Sequence, residues 1–243
     1  MTLEFVPVLH IPEVFAGAPL GLIIREKATE SGIKLQPGDI VAVAQKIVSK
    51  AEGRVIALQD VTPSAKAASL AAQINKDPRL VEVILRESRR IVRSRGDALI
   101  CETHHGFICA NAGVDRSNVD GGDTVTLLPR SPDASAARIA ADLGCPVIVT
   151  DTFGRPWREG LVDVAIGIAG ISPFVDYRGG PDTRGYPLQA TILAAVDALA
   201  SAAGLVMGKT TNTPAVVIRG FEPQGTDGTT RTLLRPVDMD LFL

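Results

Sequence analysis

Aromatic residues, cysteines and an excess of charge of either sign are all scarce in this chain of 243 residues. Aromatic residues make up 4% of the sequence, so a platform that stacks the bases of single-stranded nucleic acid is not expected. The formal net charge of -2 gives no general attraction to nucleic acid or to a membrane surface. Three cysteines, Cys101, Cys109 and Cys145, form an odd and sparse set, which indicates reduced thiols in the cytosol.

Long apolar runs and targeting signals are also missing. No apolar run approaches the roughly 18 residues that a membrane-spanning helix requires. Residues 1–5 lack the basic and apolar regions of a signal peptide. We therefore expect a cytoplasmic protein without a membrane or nucleic-acid partner. The length suffices for one large domain or two small interlocked ones.

The common nucleotide-binding and hydrolase motifs are absent as well. No strand is followed by G-x-G-x-x-G and no G-x-S-x-G occurs, which removes the usual dinucleotide and serine-hydrolase interpretations. Residues 204–210 resemble a P-loop, but the spacing from Gly204 to Gly208 is one residue too short for that motif. A helix is predicted before this stretch and a strand after it, whereas helix amides that bind phosphates need the opposite order. We therefore expect no P-loop, although Lys209 can reach a phosphate from another loop geometry.

Apolar periodicities predict helices and strands interspersed from end to end, which is typical of an α+β fold. Helices are predicted at residues 20–31, from 62, from 77 through 92, at 131–143 and at 191–206. Strands are predicted at residues 40–44, 98–102, 107–110, 124–128, 146–150 and 215–218, and residues 163–170 are either a glycine-rich strand or closely packed backbone. The polar tail after Phe221 is expected to be loosely held.

Two polar clusters have ordinary structural explanations. The stretch 101–109 contains two cysteines and two histidines, but it is predicted to be two strands joined by a His-His-Gly turn rather than a zinc site with separated ligand pairs. The arginines between Arg86 and Arg95 are placed at the end of the helix that begins near residue 78, where basic side chains complement the helix dipole. A role for these arginines in holding an anionic substrate stays open.

Two short segments carry the chemistry that the rest of the chain lacks. Asp115 lies in Asn-Ala-Gly-Val-Asp-Arg-Ser-Asn (residues 111–118), and Asp151 lies in Thr-Asp-Thr-Phe-Gly-Arg-Pro-Trp-Arg-Glu-Gly (residues 150–160). Each aspartate follows a strand-like apolar run and is expected in a polar loop, where capping a turn would explain either one alone. Carboxylates at strand ends, beside hydroxyl and amide groups, suit a hard divalent cation that keeps water and substrate phosphates in its shell. Together the two segments predict a functional site.

These two segments, with Val-Ala-Gln-Lys-Ile-Val-Ser-Lys-Ala-Glu-Gly-Arg at residues 43–54 and Asp-Val-Ala-Ile-Gly at residues 163–167, closely resemble the coenzyme F-420 gamma-glutamyl ligases. The resemblance implies a mixed α+β fold particular to that family, neither P-loop nor Rossmann, in an intertwined homodimer. It implies a ligase domain at residues 1–220, as one unit or two interlocked subdomains, and a polar tail at residues 221–243. The implied activity is GTP-dependent addition of L-glutamate to the deazaflavin F-420 precursor through an acyl phosphate, with release of GDP and phosphate.

Position by position, the resemblance also assigns roles to residues of this chain. Asp115 and Asp151 match metal ligands and Thr152 matches a ligand of a second metal, so two Mg²⁺ or Mn²⁺ ions are implied, with K⁺ as a further candidate. Asp115, Asp151 and Lys50 are the expected catalytic residues. The expected nucleotide contacts are Ile11, Pro12, Glu13, Val14, Gln45, Lys46, Lys50, Asn118, Met207, Gly208, Lys209, Thr210, Thr211 and Asn212.

One stretch departs from the pattern of the family. Residues 182–188 read Asp-Thr-Arg-Gly-Tyr-Pro-Leu, with Tyr186 and Pro187 where members tend to carry Arg-Glu, so no substrate contact is carried over to this region. Two other functions stay open: a metal-dependent ligase or phosphotransferase with another carboxylate acceptor, and a nucleotide-binding subunit without turnover. The intact aspartates and Lys50 argue against the second.

Overall fold

The computed structural model describes residues 2–116 and 123–240. Its strands are β1 (Glu4–Pro7), β2 (Ile40–Ala44), β3 (Val55–Ala57), β4 (Ser88–Arg95), β5 (Ala98–Thr103), β6 (Ile108–Ala110), β7 (Thr124–Thr126), β8 (Val147–Arg155), β9 (Arg158–Ala169), β10 (Phe174–Asp176), β11 (Ile192–Ala194) and β12 (Ala215–Arg219). Its α-helices are α1 (Leu20–Glu30), α2 (Gln45–Ala51), α3 (Ala65–Ile74), α4 (Pro78–Arg86), α5 (Pro132–Leu143) and α6 (Ala195–Met207).

A five-stranded sheet in the order β1-β12-β2-β8-β9 forms the centre of the molecule. Within it β2 and β8 are parallel, and the other neighbouring strands are antiparallel. A Rossmann fold has a mostly parallel sheet, so this layout is not of that type. The prediction of an α+β fold is confirmed, while the homodimer stays a prediction.

The central sheet is covered by helices on both faces because its inner strands are apolar on both faces. Along β2, Val41 and Val43 belong to a core cluster with residues of α1 and α5. The alternate residues Ile40 and Ala42 belong to a second cluster with residues of α6. Side chains alternate across a strand, so a continuous apolar run such as Ile-Val-Ala-Val-Ala needs a covering layer on each side.

A third hydrophobic cluster lies in the segment between α2 and α5. It is built around α3, α4, β5 and β7, and it includes Leu58, Val81, Ile84, Leu99 and Val125. The chain leaves the central sheet after β2 and α2, forms the elements around this third cluster, and returns through α5 to β8. The proposed domain end at residue 220 stays a prediction.

Two of the predicted helices are wrong at one end. Helix α4 ends at Arg86, and the chain continues as β4 along β5. Arg89 and Arg90 are predicted at the end of this helix, but they lie in β4. Both contact the carboxylate of Glu102, at 2.9 and 2.6 Å. Helix α6 begins at Ala195, because residues 192–194 pair with β10 as β11. In both places strand pairing outweighs a helical pattern of apolar residues.

The hairpin predicted for residues 101–109 is confirmed. Cys101 in β5 is the register partner of Cys109 in β6, and both side chains are buried. Burial raises the pKa of the Cys109 thiol to about 12, so the thiol is protonated at neutral pH. The His104 ring bonds to the carbonyl oxygen of Arg86 at the end of α4, at 2.9 Å, and the His105 ring bonds to that of Arg130, at 3.2 Å.

The expectation of a loosely held tail is wrong for the described part of it. The Thr230 backbone N–H and hydroxyl both contact the carboxylate of Asp133, and Thr230 is 5% exposed. Asp133 also accepts the backbone N–H of Ile168, at 2.8 Å. The Asp133 carboxylate therefore links the tail to the start of α5 and to β9. The polar composition of the tail gives no indication of this contact. In residues 2–116 and 123–240, none of the helices has the length and apolar character that crossing a membrane requires.

Close contact between β9 and α5 predicts a destabilising substitution. A Cβ at Gly167 would lie 2.4 Å from the carbonyl oxygen of Pro132, so Gly167→Ala has to push α5 away from the sheet. We expect a loss of about 1–3 kcal/mol in the free energy of unfolding, measured by urea denaturation. Gly154→Ala is the matched control, because its nearest neighbour is Leu161 Cδ2 at 4.0 Å. Equal stability of the two variants would contradict this packing.

Candidate active site

A cleft of about 750 Å³ opens where the carboxyl end of β2 lies beside the middle of β8. Residues of five other segments complete its wall: the stretch before α1, the start of α2, the turn after β6, strand β9 and the loop after α6. Of the residues proposed from the sequence, those that line the cleft are Ile11, Pro12, Glu13, Val14, Gln45, Lys46, Lys50, Asp115, Asp151, Thr152, Met207, Gly208, Lys209 and Asn212. Thr210 and Thr211 are not among the lining residues, and Asn118 lies outside the described residues.

Strand β2 brings lysines to the cleft because it passes into α2 without a loop. Ala44 ends the strand and Gln45 begins the helix, so the first turn of α2 faces the cleft with Lys46. Lys50 follows one turn later and contacts the carboxylate of Glu13. Gln45 is buried and accepts a hydrogen bond from the Ser49 hydroxyl at 2.8 Å, which fixes it within its own helix.

Strand β8 brings Asp151 and Thr152 to the same place, because it pairs in parallel with β2 and places Thr150 beside Ala44. The expectation that Asp151 lies in a polar loop is wrong. Strand β8 continues through Asp151 to Arg155, because β9 pairs along its whole length and places Asp163 opposite Thr152. The polar side chains of this stretch are therefore held by a rigid hairpin.

Asp115 reaches the cleft after a strained turn. Asn111, Ala112 and Gly113 all have positive φ, at 54°, 54° and 73°. Positive φ is unfavourable for alanine, and such strain concentrates at functional sites. A Cβ at Gly113 would lie 2.6 Å from Leu128, so glycine is needed there for packing as well. Asp115 is then fixed by backbone hydrogen bonds to Thr126 in both directions, at 3.0 and 2.8 Å.

Negative and positive side chains are balanced across the cleft. Lys46 pairs with Asp115 at 2.8 Å. Lys209 donates a hydrogen bond to the Thr152 hydroxyl at 2.7 Å, and its ammonium lies 3.4 Å from Asp163. Lys46 and Lys209 thus each place a positive charge beside an aspartate of the cleft, which offsets the repulsion among the carboxylates.

Asp151 has the most perturbed carboxyl group in the cleft. Its pKa is raised to about 7, mainly by burial and then by the negative charges of Asp115 and Asp163, while the Thr152 backbone N–H and Lys46 act in the opposite direction. Additional positive charge beside Asp151 would favour the ionised form of its carboxyl group and lower its pKa.

The residues fit a divalent cation that is shared with a phosphate ligand. Among residues 2–116 and 123–240, no three His, Cys, Asp or Glu side chains come together as a complete metal cage. Magnesium sites in nucleotide-using enzymes commonly take one or two carboxylates and fill the remaining positions with water and substrate phosphates. Asp115, Asp151 and Thr152 on the wall of a cleft form a donor set of that kind. The elevated pKa of Asp151 is independent support, because a cation would relieve it.

Asp163 has no predicted role, although it begins the motif at residues 163–167 that contributes to the family resemblance. Asp163 is 8% exposed and lines the cleft, and it accepts a hydrogen bond from the Thr152 hydroxyl at 2.6 Å. The available signal was an aspartate at the head of the apolar run Val-Ala-Ile-Gly-Ile-Ala, where a buried charge needs partners. Its partner follows from the register of β8 and β9, which a single sequence does not show.

Comparison with known proteins agrees with the earlier resemblance. A family model described as F420-0:Gamma-glutamyl ligase matches residues 8–220. The chain is 46% identical to the Coenzyme F420:L-glutamate ligase of Methanothermobacter thermautotrophicus, over 100% of this chain and 99% of that protein. It is 47% identical to the protein of the same name from Methanopyrus kandleri (92% and 89% covered) and 43% identical to that from Halobacterium salinarum (95% and 91% covered). The chain belongs to the F420-0:gamma-glutamyl ligase family.

Proposed function

We propose that this protein is a GTP-dependent ligase that joins L-glutamate to the carboxylate of the deazaflavin F420 precursor. Membership of the ligase family and the names of the similar proteins support the substrates. The observation that carries the proposal is the single cleft that collects Asp115, Asp151 and Thr152 with three lysines. A volume of about 750 Å³ lies within the range of small-molecule pockets.

The lysines of the cleft are the proposed phosphate ligands. Lys46 and Lys50 lie one turn apart on α2, and Lys209 enters from the loop after α6, so positive charge converges on the cleft from two elements. Phosphoryl transfer depends on positioning and on neutralising the charge of the phosphate oxygens, and fixed ammonium groups supply both. Asp115, Asp151 and Thr152 are the proposed holders of two Mg²⁺ or Mn²⁺ ions. When bound, these ions add charge neutralisation at the β- and γ-phosphates.

The reaction proceeds in two transfers in this proposal. The precursor carboxylate attacks the γ-phosphorus of GTP, the bond to GDP breaks, and an acyl phosphate forms. The amine of L-glutamate then attacks the acyl carbon, the amide bond forms, and inorganic phosphate leaves. A carboxylate is a poor acyl donor, so the phosphoryl group turns its oxygen into a leaving group. The homodimer and a K⁺ ion, both implied by the resemblance, remain parts of this proposal.

The elevated pKa of Asp151 predicts how metal binding depends on pH. Below a pKa of about 7 the carboxyl group holds a proton that competes with a cation. In the metal-free protein, ionisation of this buried group lowers stability as the pH rises from its unfolded-state pKa of about 4 through 7. We therefore expect Mn²⁺ to raise the melting temperature more at pH 8 than at pH 6.

Asp151→Asn is the control for this pH effect, because it removes the titrating group and leaves the side-chain shape. The pH dependence of the Mn²⁺-induced shift should then be largely lost. A shift in the wild-type protein that is equal at both pH values would contradict the elevated pKa of Asp151, and a full Mn²⁺-induced shift retained in Asp151→Asn would contradict its role as a metal ligand.

Isotope transfer tests the proposed reaction. With precursor labelled by heavy oxygen in the carboxyl group that becomes glutamylated, the acyl-phosphate route carries one labelled oxygen into inorganic phosphate. We expect label in phosphate, with GDP as the other product, and net amide formation only with L-glutamate and Mg²⁺. Mass spectrometry of the phosphate and of the glutamylated product measures both.

Two outcomes would separate the alternatives to this mechanism. Unlabelled phosphate beside GDP and glutamylated product would refute the acyl phosphate while leaving the substrates intact. GTP binding without any product would indicate a nucleotide-binding subunit or a ligase with another carboxylate acceptor. Asp115→Asn serves as the catalytic control, in which label transfer should be lost together with product.

A further inference from the structure

Lys209, Thr152 and Asp163 form a compact cluster on one wall of the cleft. The Lys209 ammonium contacts Thr152 Oγ1 at 2.7 Å and Asp163 Oδ1 at 3.4 Å. The two oxygens are themselves joined by a hydrogen bond of 2.6 Å. We propose that this Thr152–Asp163–Lys209 cluster is a cation-exchange site, in which the Lys209 ammonium and a divalent cation compete for the Thr152 hydroxyl oxygen and exclude each other. This inference rests on the proposed function, because it takes Thr152 as a metal ligand.

Asp163 determines which atoms the cluster offers to a cation. The Thr152 hydroxyl donates its proton to Asp163, so the lone pairs of the hydroxyl oxygen remain available for a positive group. Lys209 now uses this acceptor. Asp163 is therefore a positioning residue, which acts on a cation through the orientation of Thr152.

The position of the Asp163 side chain is fixed by its burial and by the packing of α6. It is 8% exposed and lies opposite Thr152 in the β8–β9 register. Its backbone carbonyl accepts the Ser201 hydroxyl of α6 at 2.7 Å. A Cβ at Gly204 would lie 2.5 Å from Asp163 Oδ2, so α6 closes directly over the carboxylate. The two oxygens of the cluster are accordingly rigid.

Lys209, in contrast, can leave at small cost. Its side chain is 66% exposed, and it lies in the segment between Gly208 and Asn212, both of which have positive φ. Ion pairs of exposed side chains contribute little to stability, so a divalent cation that binds the rigid Thr152 oxygen can displace the ammonium. The released ammonium remains at the wall of the cleft, where the phosphates of a bound nucleotide attract it. Cation binding would thereby prepare Lys209 for the nucleotide.

The exchange predicts that removing the lysine charge strengthens cation binding in the absence of nucleotide. We expect Lys209→Met to bind Mn²⁺ roughly 3- to 10-fold more tightly than the wild type, the scale of one partly exposed ion pair. Isothermal titration and the electron paramagnetic resonance signal of free Mn²⁺ measure this affinity. Lys66→Met, which removes an exposed lysine of α3, is the control for the change in net charge and should match the wild type.

Two further variants test the part played by Asp163. Asp163→Asn should weaken Mn²⁺ binding by about 10-fold or more, as expected when a partner of a metal ligand is lost. Gly204→Ala keeps the negative charge but displaces the carboxylate, so it should weaken binding in the same direction. The melting temperature of each metal-free variant shows whether the fold is retained.

The outcomes distinguish the exchange from the proposed function. If the wild type binds no Mn²⁺ even with GDP, the metal assignment of the proposed function fails. If the wild type binds Mn²⁺ but Lys209→Met binds it equally or more weakly without nucleotide, the exchange alone is overturned. If Gly204→Ala and Asp163→Asn fold and bind Mn²⁺ like the wild type, the positioning role of Asp163 is overturned.

Discussion

Strands β2 and β8 run side by side in the same direction, and the site depends on this pairing. Strand β2 ends at Ala44 beside Thr150 of β8, so the residues that follow Ala44 and Thr150 enter one cleft. One strand continues into α2 and supplies lysines, and the other continues into a hairpin and supplies Asp151, Thr152 and Asp163. The other segments that line the cleft complete its wall around these residues. Apolar layers on both faces of the sheet hold the two strand ends in register.

Charge balance is the second consequence of that geometry. Burial and the negative charges of Asp115 and Asp163 together raise the pKa of Asp151. Lys46 and Lys209 offset this repulsion from exposed and partly exposed positions, while the carboxylates are fixed by strand register and by the turn at residues 111–113. A rigid acidic wall with movable basic side chains suits a site that exchanges its own ammonium groups for metal ions and phosphates.

Much of this site could be predicted from the sequence because its residues lie in short contiguous motifs. The segments around Lys46, Asp115 and Asp151 were recognisable one at a time, and the structure brings all three into one cleft. Asp163 was missed because its partner lies eleven positions away and is defined by hairpin register rather than by spacing. Arg89 and Arg90 were placed on a helix because apolar residues at 84, 85, 91 and 92 mimic a helical period, whereas pairing with β5 decides the structure.

The same limit applies to the chain after residue 220. Its composition predicted a loose tail, but the carboxylate of Asp133 fixes Thr230 at a distance of nearly a hundred positions along the sequence. Contacts of this length depend on where helix α5 begins in space, and composition carries no information about that. Local sequence patterns therefore indicate the candidate site residues, and strand pairing and tertiary packing determine which side chains contact them.

The central claim is that the acidic wall made by Asp115, Asp151 and Thr152 binds divalent cations together with a guanine nucleotide. Anomalous diffraction from crystals grown with GDP and Mn²⁺ tests it most directly. The account predicts manganese peaks between the nucleotide phosphates and these three side chains, with the Lys209 ammonium withdrawn from Thr152. Manganese bound elsewhere, or nucleotide bound outside the cleft, would contradict it.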